Sequence, residues 1–110
     1  MPLTRDEAFA YVMIEYFSSH KGATVVATPV LGHLTAEARV GLTSQQISAP
    51  YFVKVSKDGL PLAAYADMAC TQPVDSVIEP LIANVRFTPA LEKGKPVEGV
   101  ARLVFTHLTL

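Results

Sequence analysis

The sequence predicts a small α+β domain: an antiparallel sheet with an amphipathic helix packed on one face, plus an N-terminal helix. Three observations predict it. Ala8, Phe9, Val12, Met13, Tyr16 and Phe17 fall at helical spacing near the start. Asp58-Gly59 stands between two β-prone runs, which is the strongest short-range hairpin signal. A second helical stripe, Val74, Val77, Ile78, Leu81, Ile82 and Val85, leads directly into Arg86-Phe87 and a long alternating stretch over 100–108. With 110 residues, half of them hydrophobic, the chain has room for a single domain and one core that needs no disulfide.

Taken in order, Thr4 and Glu7 form a capping-box pair that starts the first helix, and Lys21-Gly22 supplies its stop about four turns later. The aromatic stripe of this helix is read as core packing rather than a cofactor box. Residues 23–31 are rich in β-branched side chains, and Pro29 makes this strand an edge or bulged one. Gly32-His33 has turn composition. Over 34–42, Leu34, Ala36, Ala38, Val40 and Leu42 alternate with smaller or polar residues, the period of a half-buried strand paired with the first. Ala36-Glu37-Ala38-Arg39 would also suit a helix. Residues 43–50 are polar and end in Pro50, so they form a connecting loop and the best internal boundary.

The strands over 51–56 and 60–66 then flank Lys57-Asp58-Gly59. Pro73 suits a first helical turn, and the apolar stripe that follows is ready to lie across a sheet. Pro80 interrupts that stripe by removing a backbone donor, so a kink or restart is expected near Glu79-Pro80. The run from Arg86 to Gly99 predicts a tight hairpin: a short strand at Arg86-Phe87, a turn through Glu92, Lys93, Gly94 and Lys95, and a long final strand. Gly94 can take a positive φ, and Pro89 and Pro96 mark where a ladder donor is absent.

Charge and composition argue against several functions. The net charge is −1 with Lys and Arg scattered singly, which gives no electrostatic footprint for nucleic acid and no polybasic membrane patch. The apolar stretch 8–17 is broken by Glu15 and is too short for a membrane span or a secretion signal. Cys70 is the only cysteine and is read as a small apolar residue. Pairing it with His33 or His107 would make a thiolate–imidazole couple, but nothing in the spacing points that way. His20, His33 and His107 are isolated and form no metal-ligand motif, Asp67, Asp75 and Glu79 suit caps or a solvated face, and the glycines are dispersed at turns. The expectation is a non-enzymatic chain with no cofactor and no metal.

From about Phe52 to the end, the chain resembles the C-terminal domain of TonB-type energy transducers. The residues that carry this are the strand pair around Lys57-Asp58-Gly59, the helix feeding Val85-Arg86-Phe87, Pro89-Ala90, the Gly94-Lys95-Pro96-Val97 turn, and the terminal strand through Leu103 and Phe105. Residues 1–50 form a helix and two-strand extension with no counterpart in that family. The resemblance implies a periplasmic domain that captures an extended segment of an outer-membrane receptor by adding it as a strand. Such transducers begin with a membrane anchor and a proline-rich spacer, so the chain is expected to be a soluble piece of an envelope protein or a stand-alone, cytoplasmic relative.

A terminal strand with few charges and no element after it offers an open edge for strand addition. Val100, Arg102, Val104, Thr106 and Leu108 would carry partner binding on one face, with Ala101, Leu103, Phe105 and His107 on the other. The competing expectation is a structural module whose terminal strand pairs with its symmetry mate in a homodimer.

Overall fold

A computed structural model describes residues 4–32 and 34–108. The chain starts with helix α1 (Arg5–Ser19), fixed by the capping box: the Glu7 N–H donates to the Thr4 hydroxyl at 3.1 Å and the Thr4 N–H to the Glu7 carboxylate at 3.4 Å. Its predicted stripe is the half-buried side of the helix, yet no residue of α1 is fully buried. The helix therefore rides on the domain rather than inside it. Two polar ties hold it there: the Arg5 guanidinium donates to the Asn84 carbonyl and the Tyr16 hydroxyl to the Pro89 carbonyl, each at 2.8 Å.

Among the described residues seven short strands form three antiparallel groups. β1 (Thr28–Leu31) pairs with β4 (Arg86–Thr88), Thr28 opposite Thr88, with an irregularity between Pro29 and Leu31 where the proline offers no donor. β2 (Tyr51–Val55) is the centre of a three-stranded sheet, with β3 (Pro61–Tyr65) on one side and β7 (Gly99–Leu103) on the other. β5 (Ala90–Glu92) and β6 (Lys95–Val97) form a hairpin of their own. The sheet faces alternate strictly: Tyr51, Val53 and Val55 of β2 and Ala101 and Leu103 of β7 are buried, whereas Lys54, Val100 and Arg102 face solvent.

Two glycine turns dock the hairpins onto the rest. Gly59, at φ +82°, closes the β2–β3 hairpin, and its carbonyl accepts from the Phe87 N–H of β4 at 2.9 Å. A Cβ there would collide with the Phe87 carbonyl oxygen and the Phe9 ring of α1. Lys93 and Gly94 both have positive φ, +52° and +83°, which gives the β5–β6 turn the twist of a primed hairpin turn. This turn seats on the end of the helical region, the Gly94 N–H donating to the Ala23 carbonyl at 2.7 Å.

Several expectations are corrected. Residues 34–42 are not a second strand: the Thr35 hydroxyl caps the Ala38 N–H at 3.1 Å and starts helix α2 (Ala36–Val40), the alternative that Ala36-Glu37-Ala38-Arg39 allowed. The partner of the first strand is β4 instead. The supposed loop over 43–50 contains helix α3 (Ser44–Ser48), started by a Thr43–Gln46 capping box. Arg86-Phe87 is not the hairpin partner of the final strand, because β4 pairs with β1 and the final strand with β2. The second helix is only α4 (Glu79–Ala83). Pro80 sits at its first turn, where a missing N–H costs nothing, and the preceding turn is capped by Asp75, whose carboxylate accepts from the Val77 N–H at 3.0 Å. The stripe still packs through Ile78, Ile82 and Val85, while Val77 is 52% exposed. His33, half of the expected Gly32-His33 turn, lies outside the described residues.

The core is one cluster, built from the inner faces of β2 and β7 with Ile78, Ile82, Val85, Phe87 and Phe105. The domain is flat, 41 × 40 × 18 Å. A layer so thin leaves the outer face of the three-stranded sheet in solvent, at Lys54, Leu62, Val100 and Arg102.

Candidate functional site

The final strand ends sooner than its alternation suggests. β7 stops at Leu103, and Phe105–His107 turn back as a 3₁₀ helix that drives the Phe105 ring into the core, 5.6 Å from Tyr51. A buried aromatic is worth more than extending an unpaired strand by a few residues. The expected five-residue binding face is therefore divided. Val100, 42% exposed, and Arg102 face solvent on β7, Thr106 is exposed on the 3₁₀ helix, Leu108 is half-buried, and Val104 is 5% exposed. Val104 belongs to the domain interior and not to a partner-facing row.

Three of the five come together in a groove. Arg102, Val104 and Leu108, with His107, line one wall of a pocket of about 270 Å³, and Thr28, Pro29, Val30 and Gly32 line the other. Val100 and Thr106 lie outside it. The groove runs between strands that, among the described residues, each have one hydrogen-bonded neighbour, β4 for β1 and β2 for β7. Among the described residues its lining contains one guanidinium, one imidazole and no carboxylate. The β1 wall was missed at the level of sequence, although Pro29 was its signal: a proline in a β-prone run marks an edge strand.

On the solvent face of the sheet the register sets Phe52 opposite Arg102 and Lys54 opposite Val100, with the Lys54 ammonium 5.5 Å from the centre of the Tyr65 ring. Residues 97–103 alternate in burial throughout, so exposed Glu98, Val100 and Arg102 share one face. The other edge of this sheet is closed by the chain itself: Tyr65 bridges to Pro73, and the Val74 N–H donates to the Ala64 carbonyl at 3.2 Å. β7 ends the hydrogen-bonded sheet, and its other side is flanked by β1, whose Cα atoms come within 8 Å of those of β7 with no ladder between the two strands.

Titratable groups elsewhere serve the fold. Burial pushes the Tyr16 hydroxyl above its ordinary range, against a smaller opposing effect of the Thr88 hydroxyl, and burial followed by the Asp75 charge does the same to Tyr51. The Tyr51 hydroxyl donates to the Gln46 carbonyl at 2.8 Å and so anchors α3. The Thr71 hydroxyl, then the Gln72 N–H, holds the Asp67 carboxyl below its usual range, which organises the loop that carries Cys70. Cys70 is half-exposed at φ +58°, its sulfur 3.8 Å from the Met68 carbonyl oxygen. Among the described residues no three His, Cys, Asp or Glu side chains gather as metal ligands would, and no helix is long and apolar enough to cross a membrane. No family model matches the chain, and neither a curated protein nor a solved structure was found to resemble it.

Proposed function

We propose that the chain is a non-enzymatic, TonB-like protein-binding module of the cell envelope that captures an extended partner segment by strand addition at β7. The observation that carries this reading is the position of β7: among the described residues it ends its sheet, hydrogen-bonded to β2 alone, and borders a groove against β1. Main-chain groups of β7 would supply much of the affinity, and the groove, with Arg102 at its mouth, would choose among side chains. A segment laid there would extend the sheet by parting β1 from β7, because their Cα atoms approach within 8 Å and an inserted strand needs two spacings of about 4.8 Å.

The test is selection of peptides from a displayed library on the immobilised chain, followed by titration of a selected peptide into the ¹⁵N-labelled protein. Shift changes are expected over 28–32 and 99–108, with protection of β7 amides from exchange. Changes centred on α1 or on the Cys70 loop would overturn the reading. Blocking the edge calls for Val100→Lys, because Val104→Lys would bury a charge and unfold the domain instead of closing the site.

A further inference from the structure

We infer that the groove between β1 and β7 is a binding site for a carboxylate that carries a short apolar group, with both strands left where they stand. The inference goes beyond strand addition, since nothing is inserted between the strands. Each wall is fixed from behind, β1 by its ladder to β4 and β7 by its ladder to β2, while among the described residues no ladder joins the two across their approach within 8 Å. A space held open in this way is preformed, so a ligand that fills it meets little cost of rearrangement.

The charges of the groove select an anion. Arg102 and His107 line it, and among the described residues no carboxylate does. The fold uses other guanidiniums itself, Arg5 on the Asn84 carbonyl and Arg86 on the Ala83 carbonyl, whereas Arg102 has no such partner among the described residues. Glu98 shares its face of the strand but stands four residues earlier, roughly 13 Å away along an extended chain, too far to neutralise it. A guanidinium is a planar fork of donors that matches the two oxygens of a carboxylate. The imidazole adds a second donor, and the Thr28 hydroxyl a third, since its donation to the Val26 carbonyl spans 3.4 Å and is easily given up.

The rest of the lining sets the other end of the ligand. Pro29, Val104 and Leu108 are apolar, and the volume of about 270 Å³ lies below the roughly 300–1,000 Å³ that takes drug-sized molecules. The site therefore suits an acid with a short hydrocarbon chain. A free acid presents this chemistry, and so does the C-terminal residue of a partner chain when its side chain is apolar.

The site is tested by titrating hexanoate into the ¹⁵N-labelled chain, with hexanamide as the uncharged match. Hexanoate is expected to shift the amides of Thr28, Val30 and residues 102–108, and hexanamide to leave them in place. Affinity should rise from acetate to hexanoate by up to about fourfold per methylene. Arg102→Gln, at an exposed position that the fold does not need, should weaken hexanoate about tenfold or more, and Arg102→Lys should fall between the two because it keeps the charge and loses the fork. N-acetyl-leucine separates the sources: binding tighter than hexanoate assigns the groove to a chain end, weaker binding to a free acid. Equal shifts with hexanoate and hexanamide, no loss in Arg102→Gln, or no binding of either acid at millimolar concentration would overturn the inference. If hexanoate binds and no displayed peptide is selected, the strand-addition reading falls and the carboxylate site stands; the reverse outcome removes the site and keeps that reading.

Discussion

The two halves of the chain are built on different principles. Within residues 51–108 the strands bury their own alternating faces, and this half supplies Tyr51, Val53, Val55, Ile78, Ile82, Val85, Phe87, Leu103 and Phe105 to the core. Residues 4–50 contribute Ala27, Leu34 and Leu42 to the buried core, and otherwise join it through the β1–β4 ladder, the Val25–Leu91 bridge, capped helices and single hydrogen bonds. The second half is a core with β7 at its side; the first is a cover whose strand β1 supplies one wall of the groove. The difference teaches that an element can be locally well specified, as α1 is by its capping box, and still contribute little to the interior.

The largest break in this contrast is expected from Phe87. Its ring is fully buried, and Phe87→Ala should lower unfolding free energy by about 3–5 kcal/mol, against about 1–2 kcal/mol for Phe17→Ala on the half-buried side of α1. Urea denaturation of the two variants measures the ratio; equal losses would show that α1 is as much core as β4. Next comes Gly59→Ala, which combines a positive φ with a collision against Phe87 and Phe9, where the halves meet. It is expected to cost about 2 kcal/mol or more and to speed amide exchange in both α1 and β4. Exchange that quickens in the β2–β3 hairpin alone would show that the turn does not join them.

The smallest effect tests the cover by itself. Tyr16→Phe leaves the Pro89 carbonyl without its donor and should cost about 1 kcal/mol. Because burial raises the Tyr16 hydroxyl above its unfolded value, its contribution is complete below pH about 10 and is lost as pH rises through the folded value. The wild-type chain should therefore lose stability in alkaline solution more steeply than Tyr16→Phe. Parallel pH profiles would remove Tyr16 as the cause.

What could be read from the residues follows the same division. The Asp58-Gly59 hairpin, the Thr4–Glu7 cap, the positive φ at Gly94 and the restart at Pro80 each depend on a few neighbours along the chain, and each is present. Residues 34–42 misled because alternating alanines satisfy strand and helix alike, and the Thr35 cap decided between them. Val77 misled because the helical stripe was extended through a turn that Asp75 caps instead. Of the expected binding residues, Arg102, Val104 and Leu108 do reach one groove, but Val104 does so from the interior, since the strand was drawn too long.

By itself the sequence determined the fold class, the two hairpin turns, the Thr4–Glu7 cap and the alternation of β7, because these depend on backbone conformation and side-chain periodicity within a few residues. Only the tertiary structure decided which strands pair, where β7 stops and what flanks its other side. Those outcomes turn on burying Phe87 and Phe105 against residues far away in the chain, an energy that no local pattern contains.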